Sequence, residues 1–446
     1  MTSARPAATA AAAPGAPRRA GTAAFAGSVL EYYDFSLYAS AAATVFPTVF
    51  FPGSSPFLAT VQSVATFAVA FLVRPLGGAI LGSIGDRIGR QRVLVFTLVI
   101  MGVATIGIGL VPSYSAIGWL APALLVLLRL LQGIGASGEF GGATLVAVEF
   151  APEGRRGLLG SLPAAGASFG GMLGTLALLA ASSVLPAEQF FDWGWRIPFL
   201  LSAVLVGYGL WLRIGLPETP SFRRIDRDGG TARTPLRDIL RRQPGSVLAI
   251  VAIVTAQTGF GYFYLVFVVS YAGNQIGLSR TDTFVGLLVA QISCGLLIPV
   301  FGWLSDRIGR KTVITMGLVA SGALAFPFFG LVQPGWPLGL WIAMFLGNGV
   351  AASAIVAPAG PLVAELFATR YRYSGMGLAR ELGNMVGAAG VPLLAVQLAY
   401  AGDGTTALSV MLTCLALLGL VGVLVATRLN GPSPDAEEAE DRAPVA

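Results

Sequence analysis

Twelve long apolar runs leave this chain few folds to choose from. Their approximate limits are 21–47, 57–82, 92–112, 117–149, 157–184, 194–215, 245–273, 282–303, 312–332, 337–367, 374–400 and 405–428. Each can cross the ~30 Å of hydrocarbon in a bilayer as a helix. In that layer no water satisfies a stray N–H or C=O, so a helix must pair its own backbone. The chain is 55% hydrophobic and 11% charged, whereas soluble proteins carry about 25% charged residues. An all-α integral membrane protein is the fold class that follows.

A short motif divides the twelve runs into two sets of six. Residues 82–92 read Gly-Ser-Ile-Gly-Asp-Arg-Ile-Gly-Arg-Gln-Arg, and residues 302–312 read Gly-Trp-Leu-Ser-Asp-Arg-Ile-Gly-Arg-Lys-Thr. The shared core is G-x-x-x-D-R-I-G-R, with Asp86 and Asp306 at equivalent positions. Each copy is a tight polar turn between two spans, in which Gly89 and Gly309 permit a sharp backbone path. A second pair of stretches, 149–157 and 365–375, places a carboxylate and an Arg pair near each turn. Such repeats mark a duplicated half-molecule working at the interface of its halves.

Arginine placement sets the orientation. Arg87, Arg90 and Arg92, Arg155 and Arg156, Arg223 through Arg242, Arg307, Arg310 and Lys311, and Arg370 and Arg372 all fall in loops on one side. The other side carries Arg280, with Arg196 at the start of the sixth run. The positive-inside rule then puts both termini in the cytoplasm. The expected organisation is a disordered tail over 1–20, a six-helix bundle over 21–215, and a cytoplasmic linker over 216–244. A second bundle over 245–428 and a disordered acidic tail from 429 follow. Helices this rich in glycine, with 58 in the chain, can pack closely. The net charge of +6 belongs to short loops and implies no nucleic acid.

The chain contains no His, which removes histidine relays and histidine metal sites, and no metal site is expected. Cys294 and Cys414 stand far apart inside apolar runs and read as buried thiols. No phosphate-binding G-x-x-x-x-G-K-[ST] motif occurs, so any solute movement by this chain would draw on an ion gradient, or on none.

Several further stretches resemble one family. They are Gly-Ser-Val-Leu-Glu-Tyr-Tyr-Asp-Phe-Ser-Leu-Tyr at 27–38, Thr-Phe-Ala-Val-Ala-Phe-Leu-Val-Arg-Pro-Leu-Gly-Gly at 66–78, and Arg-Leu-Leu-Gln-Gly-Ile-Gly-Ala-Ser-Gly-Glu-Phe-Gly-Gly-Ala at 129–143. Trp-Gly-Trp-Arg-Ile-Pro-Phe at 193–199 and Glu-Thr-Pro-Ser-Phe at 218–222 complete the set. With the repeated turn they resemble the metabolite:proton symporters of the major facilitator superfamily, nearest the shikimate-carrier branch. The resemblance implies the major facilitator fold, with two pseudo-symmetric six-helix bundles around a midplane cavity. It also implies that Asp86, Arg87, Arg90, Asp306, Arg307 and Arg310 form gating turns on the cytoplasmic side. Asp86 is expected near Ser374 and Asp306 near Gly157, each against a helix N-terminus. Arg380 and Glu381 depart from the neutral polar start usual for the eleventh helix of that branch.

Ionisable residues inside a membrane need partners or a wet cavity. At ~1.5 Å per residue, Glu31 lies about 15 Å and Asp34 about 20 Å into the first span. Arg129 falls at the level of Asp34, and Arg74 and Glu139 at that of Glu31. Gly27, Glu31, Asp34 and Tyr38 share one helix face, as do Arg129, Gln132 and Glu139. Glu31, Asp34, Arg74, Arg129, Glu139, Arg380 and Glu381 are therefore the candidate substrate and proton pathway, with static pairing as the plain alternative. Tyr262 and Tyr264 read first as packing residues, and Gln291 and Asn348 as polar candidates of the second half.

The function expected is proton-coupled symport of a small hydrophilic metabolite, an organic carboxylate, by a monomer in the inner membrane. It needs no cofactor beyond the proton gradient. A carrier of zwitterionic osmolytes such as proline or betaine, and a substrate receptor that transports nothing, are the alternatives. A membrane enzyme would need a nucleophile, metal cluster or acid–base pair near a membrane face, and none is legible.

Overall fold

The computed structural model describes residues 16–88, 90–137, 147–148, 151–152, 154–214, 241, 243–366, 372–400 and 404–428. The described residues form twelve principal helices, eight of them long and apolar enough to cross a membrane. In the first half these are α1 (Ala16–Thr44), α2 (Pro56–Ile88), α3 (Arg90–Leu110), α4 (Leu120–Ala136), α5 (Arg156–Val184) and α6 (Arg196–Ile214). The second half begins with α7 (Pro244–Asn274), α8 (Arg280–Ile308) and α9 (Arg310–Leu331). In α10, Pro337–Met344 leads through π-turns at Phe345–Ala352 into Ser353–Leu366. In α11, Arg372–Asn384 passes π-turns at Met385–Gly390 and ends as Val391–Tyr400, and α12 is Gly404–Arg428. The first helix reaches back to Ala16, inside the stretch expected to be tail. The linker 216–240, the acidic tail from 429, Glu139 and Gly89 lie outside the described residues.

Small residues decide how closely the helices approach. Gly166, Gly170 and Gly174 recur every fourth residue on α5, facing α1. A Cβ at any of them would run into the carbonyl oxygens of Phe25, Val29 and Tyr33 respectively. In lipid there is no hydrophobic drive between helices, so backbone-to-backbone packing of this kind supplies the attraction. The neighbouring face of α5 meets α8 across the seam between halves, where Gln291 donates to Thr175 Oγ1 at 3.0 Å.

The far end of the first half is closed by aromatic packing. Phe46, Phe50, Trp195 and Phe199 are buried and meet edge to face. Beside them Arg196 donates to the carbonyl oxygens of Gly109 and Val111, the unpaired acceptors at the end of α3. The arginine that stood out on the sparse side of the membrane is thus a helix cap. Across the seam at this end, the Arg280 guanidinium lies over Phe190 and Phe191, 4.9 and 4.5 Å from the ring centres.

Three helices of the second half, α7, α10 and α11, contain π-turns, the first at Phe263–Val268. A π-turn skips one regular hydrogen bond and often sits where a helix must rearrange.

Candidate functional site

The charged residues expected in the first half do converge, though with different partners. Asp34 on α1 is buried and accepts a hydrogen bond from Thr105 of α3 at 3.0 Å. Thr105 Oγ1 in turn accepts from Gln132 Nε2 at 2.6 Å, and Gln132 Oε1 accepts from Arg129 Nη1 at 2.9 Å. The expected direct pairing of Asp34 with Arg129 is therefore replaced by a chain through two neutral side chains. Thr105 was not foreseen. A lone Thr in an apolar run usually bonds its own preceding turn, and Thr105 Oγ1 also lies 2.9 Å from Met101 O, so its one proton is shared between that carbonyl and Asp34.

Arg129 is completely inaccessible to solvent. Its guanidinium stands over Phe35, Tyr38 and Phe67, at 4.9, 4.1 and 5.0 Å from their ring centres. Three π faces supply part of what water would supply, since each presents negative quadrupole density to the cation. Tyr38 is fixed for this by its hydroxyl, which donates to Thr66 Oγ1 at 2.8 Å.

Arg74 was expected at the level of Glu31 and Glu139. Its direct partner is instead Glu381 of α11, with Arg74 Nε 2.9 Å from Glu381 Oε2. This pair joins the two halves and is buried, the side chains being 4% and 9% exposed. Arg74 also donates from Nη2 to Ala136 O at 3.3 Å and sits over Phe35 and Phe71. Glu31 and Tyr32 of α1 and Tyr262 of α7 lie around the same guanidinium. Tyr262 packs against Phe67 and Phe71, so it seals the seam beside the pair. Depth alone could not identify the Arg74 partner, because residues about 300 positions apart share a level only through the fold.

Tyr264 lies in an aromatic cluster with Phe263 and Phe328, a packing role. Asn348 donates to Ala290 O at 3.2 Å and ties α10 to α8.

At the second signature turn Gly309 has φ +92°, a conformation that a side chain would strain. Asp306 accepts from Gly157 N at 2.7 Å and Leu158 N at 3.0 Å. These are N–H groups of the first turn of α5, where the helix dipole favours a carboxylate. Gly302, one turn before Asp306, lets α8 approach; a Cβ there would meet Gly157 O at 2.8 Å and Ser161 Oγ at 2.5 Å. The G-x-x-x-D spacing thus puts a close-approach point and an anion on one face. Arg307 lies over Trp303 at 4.0 Å from its ring centre, and Arg310 opens α9. The side chains of Asp86, Arg87 and Arg90, and so the contact expected at Ser374, fall outside the described residues.

Two bundles of six helices, joined by a charged seam and a repeated polar turn, define a multi-pass membrane transporter rather than an enzyme. Residues 20–256 match the sugar (and other) transporter family and residues 251–445 the major facilitator superfamily. The chain belongs to the major facilitator superfamily, among its metabolite transporters. It is 42% identical to the shikimate transporter of Escherichia coli (strain K12), over 85% of this chain and 87% of that one. It is 38% identical to the inner membrane metabolite transport protein YhjE of the same organism, over 90% and 91%. It is 34% identical to the proline/betaine transporter of Salmonella typhimurium, over 93% and 84%. A partially occluded, inward-open structure of the E. coli xylose transporter XylE shares the fold, with TM-score 0.71 at 18% identity over 93% and 98% of the two chains.

Proposed function

We propose that this protein is a proton-coupled symporter of a small hydrophilic metabolite bearing a carboxylate, working by alternating access. The observation that carries the coupling is the Asp34 carboxylate, buried inside the first bundle and linked through Thr105 and Gln132 to Arg129. A buried carboxylate that gains and loses a proton as its surroundings change is what coupling needs. The four-residue chain gives Asp34 a route by which movement of α3 or α4 alters its surroundings. Relatives include carriers named for an organic acid, shikimate, and for zwitterions, proline and betaine. Two buried guanidinium groups, Arg74 and Arg129, whose planar forks match a carboxylate, favour the organic acid. The zwitterion reading draws on the aromatic wall of Phe67, Phe71 and Tyr262, which suits an organic cation.

On this reading the basic face is cytoplasmic, and the two signature turns latch that face shut. Asp306 at the start of α5 is the described example.

Purified protein in proteoliposomes, supplied with radiolabelled shikimate or glycine betaine, tests the proposal. Accumulation should require an inward pH gradient. Asp34→Asn should abolish accumulation while leaving exchange down a gradient. Uptake that is the same with and without the gradient would exclude proton coupling, and accumulation by Asp34→Asn would move the coupling role to another carboxylate of the candidate pathway, Glu31, Glu139 or Glu381.

A further inference from the structure

We infer that the Arg74–Glu381 pair is a carboxylate-exchange site, in which Glu381 fills the guanidinium seat that a cargo carboxylate takes over. This rests on the reading of the cargo as a carboxylate.

The pair ties α2 of one half to α11 of the other. Opening of the halves on the side where the pair lies must stretch or break it, and a buried charge left without a partner is strongly unfavourable. Something must then replace each partner. The two ends differ in how firmly they are held. Arg74 has supports of its own: Nη2 donates to Ala136 O, and Phe35 and Phe71 flank the guanidinium at 5.4 and 5.6 Å. Its planar fork stays in place when Glu381 leaves, and such a fork matches any carboxylate. Glu381 is held more loosely, with Asn384 Nδ2 at 3.5 Å from Oε1. The π-turns of α11 begin four residues later, at Met385. Glu381 is thus the partner that can swing away.

Charge counting gives the proton. The groups around this place are Glu31, Tyr32 and Asp34 from α1, Arg74 from α2, Arg129 from α4, Tyr262 from α7, and Arg380 and Glu381 from α11. With both tyrosines neutral, the three arginines and three carboxylates sum to zero. A bound monoanion keeps the sum at zero when one proton enters with it. The step is Glu381–COO⁻ on Arg74, plus cargo R–COO⁻ and H⁺, giving Glu381–COOH and R–COO⁻ on Arg74. The one new covalent bond is O–H on Glu381. A zwitterion would leave the sum unchanged with no proton, so the site separates the two cargo classes by their proton requirement.

Equilibrium binding of shikimate and of glycine betaine to the protein in nanodiscs, over a pH series, tests this. Wild-type affinity for shikimate should rise as pH falls, by up to about tenfold per pH unit for each linked proton. Glu381→Gln should keep shikimate binding and lower its proton linkage by about one. Arg74→Gln should lose binding, and Arg74→Gln/Glu381→Gln should lose it too, although no buried charge is then unpaired. Dicyclohexylcarbodiimide reacts with protonated buried carboxyls, so its labelling of wild-type Glu381, read by mass spectrometry, should increase with saturating shikimate. If the double variant binds shikimate as the wild type does, or labelling does not increase, the pair is a structural tie and the inference fails while the carboxylate reading stands. If shikimate does not bind, or glycine betaine alone binds and without pH dependence, the carboxylate reading itself fails and the exchange with it.

Discussion

Thr105 is the residue on which the inner polar chain turns. Its hydroxyl accepts from Gln132 and faces Asp34, so one oxygen connects α1, α3 and α4. Thr105→Val keeps the shape and removes that oxygen. Gln132 Nε2 and Asp34 Oδ2 then lose a buried partner, which costs about 1–3 kcal/mol. The expected outcome is a lower unfolding temperature in detergent, together with weaker proton-driven accumulation in proteoliposomes. Substrate exchange should fall less than accumulation, because Thr105 lies away from the seam pair. Arg129 makes a different demand. It is enclosed by Phe35, Tyr38 and Phe67 and carries a charge that these rings and the chain to Asp34 must offset. Arg129→Lys retains the charge but not the planar group that lies against the three rings. It should therefore be destabilised and poorly coupled, as measured by thermal unfolding and by uptake with and without a pH gradient.

Among the elements, α5 carries the most structural duty. One of its faces lies against α1 through Gly166, Gly170 and Gly174, and its first turn receives Asp306 from α8. A carboxylate at a helix N-terminus contributes about 0.3–2 kcal/mol. If that contact closes the basic face, Asp306→Asn should shift the closed-to-open ratio by about 2- to 30-fold. The measurement is the maleimide reactivity of a cysteine at the buried Ser161, in a background lacking Cys294 and Cys414. Reactivity should rise, and equilibrium substrate affinity should change little. Gly157→Ala should act in the same direction by sterics, since its Cβ would meet Gly302 O at 2.5 Å and Asp306 Oδ1 at 2.8 Å. Unchanged reactivity in both variants would leave Asp306 as a helix cap with no part in gating.

For the whole molecule, the described contacts between halves run from Asp306 at one face, through Arg74–Glu381 and Gln291–Thr175, to Arg280 over Phe190 and Phe191 at the other. Among the described residues, contacts between the halves are thus present toward both ends of the seam. The orientation proposed from loop charge, with both termini in the cytoplasm, is open to a direct test. A cysteine replacing Ser115, in the exposed connection before α4, should react with an impermeant maleimide in intact cells. A cysteine replacing Thr231 in the linker should react after the cells are opened. The reverse pattern would place the termini outside.

The division between what was legible and what was not follows the range of the forces involved. Span number, the two halves and the glycine-rich character of the helices are local or repeated properties. Twenty apolar residues must be helical in lipid, and a motif repeated at Asp86 and Asp306 must mark equivalent turns. Asp306 against the start of α5 was legible for the same reason, since the repeat gave it a counterpart. The burial of Glu31, Asp34, Arg74, Arg129 and Glu381 was legible too, because charges in a span must turn inward. Their partners were not. Depth along a helix says which residues share a level, while the azimuth of each helix says which of them touch. That azimuth is set by packing such as the α5 glycines against α1. The tertiary structure alone therefore gave Arg74 to Glu381 across the seam, put Thr105 and Gln132 between Asp34 and Arg129, and enclosed Arg129 in aromatic rings.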